Sequence, residues 1–199
     1  MYEGVDTVVL HNELAYEDVL PVGWRPLARP LDLASVTALT ERNVRTLQVC
    51  ATIEEQGPVE KAEDKSLHSA DLLRLEVKMN LVLELMGQLL AAQQPRPPVT
   101  PMKFNALGAV WRSQAPPRQG EQGLLDIYLR ECLAQPVTLI ANVTQVTNDG
   151  QVKVTFTPPG EATADLIEKL AFRRHRRHVA GVRQPRRAPG ETGITRILG

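Results

Sequence analysis

Cysteine, aromatic residues and long apolar runs are all scarce in this chain, and each scarcity excludes something. Cys50 and Cys132 are the only two cysteines in 199 residues, and neither has a partner at metal-ligand spacing. That pattern predicts reduced, buried thiols in a reducing compartment and no disulfide framework. Aromatic residues make up 4% of the chain, so a core has to be built from aliphatic side chains. No stretch approaches the roughly 18 apolar residues that a membrane-spanning helix needs. The opening MYEGVDTVVLHNEL has Glu3 and Asp6, no basic start and no apolar core, which argues against a secretory signal and for a cytoplasmic protein. The catalytic signatures are missing too. There is no Walker loop, no G-x-G-x-x-G, no H-E-x-x-H and no nucleophile elbow, so the reading is of a protein without catalytic residues. His175 and His178 stand three apart, but the arginines around them would repel a cation, and no metal site is expected.

A net charge of zero conceals a division. Residues 1–94 hold 8 Lys/Arg against 15 Asp/Glu, and residues 95–199 hold 15 against 8. Much of the second excess lies between Arg173 and Arg187, which contains seven Arg, two His and no acid. Such a stretch meets an anion or neutralises the acidic part of a neighbouring subunit.

Four regions follow from the pattern. Residues 1–33 read as a short strand, Val5 to Leu10, followed by an irregular segment that Pro21, Pro26, Pro30 and Gly23 keep from regular structure. Residues 34–94 read as helical. Asp32 or Ser35 caps a first helix to about Gln56, and Gly57-Pro58 separates it from a second that ends before Pro95. In the second helix Leu72, Leu75, Met79, Val82, Met86 and Leu89 recur at spacings of 3-4-3-4-3, the a and d positions of a heptad. Leu83 and Leu90 widen the stripe, which suits a higher-order bundle better than a two-stranded coil. These six residues are the candidate oligomerisation seam. Residues 95–183 then read as short strands, at Val99–Phe104, Ala109–Arg112, Leu124–Leu129, Val137–Val146 and Val152–Phe156, closed by a helix from Glu161. Asn148-Asp149-Gly150 supplies a tight turn between the last two strands. Asp126 and Glu131 are expected to face solvent, and residues 184–199 form a flexible tail. The fold class is α+β: a small six-stranded antiparallel barrel on a long oligomerising helical stalk, with a C-terminal helix.

The order of LRLEVKMNLVLELMGQLL, then FNALGAVW, then DLIEKLAFRRHRRHVAGVR resembles the atypical PilZ-domain proteins, which carry a long heptad helix and form tetramers. The resemblance spans about residues 66–183. It implies a PilZ-like barrel, a homotetramer and a place in bacterial cyclic di-GMP signalling. The family's nucleotide motif pairs R-x-x-x-R before the barrel with [D/N]-x-S-x-x-G on a strand. The first half supplies guanidinium forks to phosphate and guanine, and the second supplies polar contacts with a close backbone approach. Here the strand reads Lys103-Phe104-Asn105-Ala106-Leu107-Gly108, and only Gly108 is retained. Upstream, Arg96 has no arginine four residues away. The reading is therefore a regulatory or scaffold protein acting through protein partners, with no cofactor. Two alternatives stay open. One is an atypical cyclic di-GMP receptor using Arg173, Arg174, Arg176 and Arg177 with Lys103, Asn105 and Gly108. The other is an oligomeric nucleic-acid binder, disfavoured because only Phe172 interrupts the arginines.

Overall fold

The computed structural model describes residues 9–55, 96–130 and 133–182, together with twelve positions between 71 and 89. The tail 184–199, the passage through Gly57-Pro58, Cys132 and Glu131 lie outside the described residues.

The centre of the molecule is a closed six-stranded barrel in the order β3-β4-β5-β8-β7-β6. Four of its strands, β5 (Gly108–Arg112), β6 (Gln122–Ile127), β7 (Val137–Val146) and β8 (Gln151–Phe156), fall where alternation and turn residues place them, as does β4 (Val99–Phe104). Every neighbouring pair is antiparallel. The turn from β7 to β8 uses Gly150 at a φ of 79°, as the Asn-Asp-Gly signal requires. Alternate residues point inward, and Met102, Phe104, Trp111, Leu125, Ile127, Leu139, Val152 and Val154 fill the interior.

The sixth strand corrects the sequence reading. β3 (Tyr16–Pro26) runs through the segment expected to be irregular, pairing first with β4 and then with β6. Its prolines stand at the two margins of the β6 ladder. Pro21 is one residue short of the β6 ladder, and Pro26 is the strand's last residue. The carbonyl of Pro21 still accepts from the Tyr128 N–H at 3.1 Å. A strand from residues 16–26 therefore closes a barrel whose other strands come after residue 98.

Before β3, a two-residue hairpin joins β1 (Val9–Leu10) to β2 (Glu13–Leu14), and its turn residues His11 and Asn12 both have positive φ. Helix α1 (Leu33–Glu55) starts on Asp32, whose Oδ1 accepts from the Ser35 N–H at 2.8 Å. α1 lies against β7, and helix α2 (Glu161–Val182) packs on α1 and β3. Leu47 and Cys50 of α1 join Ile167, Leu170 and Ala171 of α2 in the same apolar core as the barrel interior.

Candidate functional site

The motif-like turn between β4 and β5 is engaged by the chain itself. Phe104 points into the core, and Lys103 points out to Glu17 at 3.2 Å. Asn105 is fully buried, and its Oδ1 accepts from the N–H groups of Leu107 (2.9 Å) and Gly108 (3.1 Å). Its own N–H donates to the Gly108 carbonyl at 3.0 Å, which closes the turn. The side-chain Nδ2 then donates to the Leu10 carbonyl at 2.6 Å, tying the turn to the N-terminal hairpin. A Cβ at Gly108 would stand 2.3 Å from the Val154 carbonyl oxygen and 2.8 Å from His11 Nε2. Glycine is thus required because β8 and the hairpin both press on this backbone. Asn105 thus bonds the N-terminal hairpin, and Gly108 is packed between that hairpin and β8.

The arginines of α2 diverge. Successive helical residues are about 100° apart around the axis, so Arg173 and Arg174 leave in different directions. Arg174 reaches Asp18 at 2.9 Å and lies 5.8 Å from the Tyr16 ring centre, while the Tyr16 hydroxyl donates to the same carboxylate at 3.3 Å. Arg173 donates to the Ala51 carbonyl at 3.4 Å, near the negative end of α1. Arg176 rests over Phe172 at 6.0 Å. The side chain of Arg177 lies outside the described residues. Lys103 and Arg174 are kept apart because they pair with Glu17 and Asp18, neighbours that face opposite sides of β3. Beside Arg173 a groove of about 490 Å³ is lined by Glu13, Leu14, Asp165, Glu168, Lys169 and Phe172. Its three carboxylates outnumber its two cations, and Lys169 is bound to Asp165 at 2.6 Å.

One polar cluster escaped the sequence reading. Asp126 is 7% exposed, not solvent-facing, because it lies under Arg25 of β3 and beside Thr138 of β7, the strand against which α1 packs. It receives two bonds from Arg25, at 2.6 and 2.9 Å, and one from the Thr138 hydroxyl at 2.6 Å. The hydrogen bond to Asp126 raises the pKa of the Arg25 guanidinium further above its ordinary value. Asn43 of α1 completes the cluster, exchanging two bonds with the Thr138 backbone. The apolar run around Asp126 was the available signal, since a strand covered on both faces loses its alternation. Arg96 also has a place, over the Tyr128 ring at 5.6 Å and bonded to the Leu133 carbonyl at 3.2 Å.

The heptad residues behave differently. The described positions of 71–89 are helical, and Leu72, Leu75, Met79, Val82, Met86 and Leu89 are all between 54% and 65% exposed. Val77, Leu81 and Leu85 are exposed as well. Among the described residues, no group of three or more His, Cys, Asp or Glu could hold a metal ion, and no helix is long and apolar enough to cross a membrane.

The fold is that of a crystal structure from Xanthomonas campestris, described as a tetrameric PilZ domain self-assembled through an unusual helical bundle. That structure matches with a TM-score of 0.68 at 24% identity, over 88% of this chain and 95% of the other. No curated protein matches the sequence. The profile of the atypical PilZ domain, described as a cyclic di-GMP receptor, matches residues 47–184. With a six-stranded antiparallel barrel, a closing helix and more than half of its length matched, the chain belongs to the atypical PilZ domain family.

Proposed function

We propose that this protein is a non-enzymatic homotetramer, a regulatory or scaffold element of cyclic di-GMP signalling that acts through protein partners. The exposed heptad stripe carries the assembly part of this reading. Six large apolar side chains, each at least 54% exposed, form one seam on a helix. Each contributes up to about 1.5–3 kcal/mol when fully buried, at most about 9–18 kcal/mol per chain, of the same order as an association cost of roughly 4–15 kcal/mol. The tetrameric bundle described for the Xanthomonas campestris structure supports four copies.

Action through partners is supported by what the motif turn does. Asn105 bonds the hairpin, Gly108 lies packed against His11 of its turn, Lys103 binds Glu17, and of the arginine pair Arg25–Arg29 that precedes the motif strand, Arg25 is held by Asp126. A receptor built on Arg173, Arg177 and Lys103 is weaker, because the groove beside Arg173 presents more negative than positive groups to a dianion.

Multi-angle light scattering tests the assembly. The wild type should weigh four times the 22.0 kDa chain. Leu75→Asp with Val82→Asp would place unpaired carboxylates in a dry seam, at several kcal/mol per subunit, and should yield monomers with intact near-ultraviolet dichroism. A double variant that keeps the wild-type mass would refute the seam.

A further inference from the structure

The outer face of the β3–β4 pair carries an apolar patch that the monomer leaves uncovered. In antiparallel register Glu17 stands beside Lys103, Val19 beside Pro101, and Pro21 beside Val99. Val19 is 57% exposed and Val99 63% exposed, and Pro101 is exposed beside a half-buried Pro21. A solvated barrel face is ordinarily polar at such positions. Here four consecutive outward positions are Val or Pro, and the Glu17–Lys103 ion pair bounds one end. An apolar centre with a charged rim is the anatomy of an interface.

We infer that this patch meets the same patch of a second copy, so that barrels touch in pairs within the assembly. The charge layout selects that occupant. A two-fold axis lying in the contact plane, parallel to the strands and midway between β3 and β4, carries each strand over the other. It sets Glu17 opposite the second copy's Lys103, Val19 opposite the second copy's Pro101, and Pro21 opposite the second copy's Val99. Opposite charges meet at the rim and apolar groups meet at the centre, as an isologous contact requires. The area selects how the contact forms. Four small side chains fall well short of the roughly 800 Å² per partner of a free-standing interface, so the patch pairs only between copies that are already tethered. Val99 lies ten residues beyond Leu89, the last residue of the seam, within about 35 Å of chain. The seam thus holds the barrels near one another, and the inference rests on the tetramer proposed above.

The test is chemical cross-linking in the full chain with Cys132→Ser, leaving the buried Cys50. Val99→Cys should be joined to a second copy by a short bis-maleimide about tenfold faster than Leu33→Cys, owing to the higher effective concentration of facing thiols across the paired patch. Leu33 is 82% exposed at the start of α1 and serves as the accessible control. Glu17→Lys should reduce the yield, and Glu17→Lys with Lys103→Glu should restore it. Melting curves report that each variant is folded. Tetramer mass with equal rates at the two cysteines overturns the patch and leaves the seam standing. A wild-type mass of one chain overturns both, and scattering tells these outcomes apart.

Discussion

Asn105→Ala is the sharpest perturbation of the motif turn. The substitution deletes an amide that makes three bonds, to the Leu10 carbonyl and to the N–H groups of Leu107 and Gly108. Leu107 is 43% exposed, so its N–H regains water at little cost. The Leu10 carbonyl and the Gly108 N–H belong to buried residues and are left unsatisfied, at about 1–3 kcal/mol each. The expected loss is therefore about 2–6 kcal/mol, a large share of the roughly 5–15 kcal/mol that holds a domain folded. For a chain of this length, at about 2–4 °C per kcal/mol, that corresponds to a fall in Tm of roughly 4–24 °C. Urea unfolding can be followed through Trp24 and Trp111, whose rings stack at 6.1 Å between the barrel strands. Asn105→Ser, which restores the residue of the family's motif, retains one acceptor for the Gly108 N–H and should fall between. Amide exchange over residues 9–14 should quicken in both variants. A loss below about 0.5 kcal/mol in Asn105→Ala, less than one ordinary hydrogen bond, would show that Asn105 does not secure the hairpin.

Asp126→Ala removes the acceptor of three bonds and should cost about 2–4 kcal/mol in urea unfolding, since bonds to charged groups are worth about 1.5–3 kcal/mol and Arg25 is 58% exposed, which discounts its share. A neutral result would mean that the Arg25–Asp126–Thr138 cluster is incidental. Acid should destabilise the fold through Glu121 and Asp149. Bonds from Trp24 and Thr147 respectively, the largest causes, lower their pKa values from the ordinary 4.5 and 3.8. Carboxylates depressed in the fold contribute fully above about pH 5 and lose that contribution as pH falls below about 4. Unfolding midpoints at these pH values should show the decline, and Glu121→Gln with Asp149→Asn should flatten it.

Most of the barrel was legible because alternation and turn chemistry are local. β4 and β7 begin and end where the apolar pattern does, and Asn148-Asp149-Gly150 marks the hairpin between β7 and β8. The Asp32 cap was equally local. β3 was hidden because Pro21, Gly23 and Pro26 weigh against any strand, and only the staggered pairing of β3 with β4 and then β6 explains why they fit. The same non-locality concealed the role of Asn105. Its side chain bonds Leu10 across 95 residues, and no spacing in the sequence reports such a contact. The heptad pattern was plain in the sequence, and the exposure of its described residues in the single chain is what the proposed assembly rests on. The arginines of α2 looked like one patch in sequence, yet helical geometry sends Arg173 to α1 and Arg174 to β3.

The proposed function has the motif turn serve the chain's own hairpin in place of a bound nucleotide. Calorimetric titration of the full chain with cyclic di-GMP is the decisive measurement. The expected result is no measurable heat, or a Kd far weaker than about 1 μM, because Asn105 and Gly108 are buried in the turn and Arg25, of the Arg25–Arg29 pair, is held by Asp126. A saturable Kd at or below about 1 μM, roughly −8 kcal/mol, would contradict it.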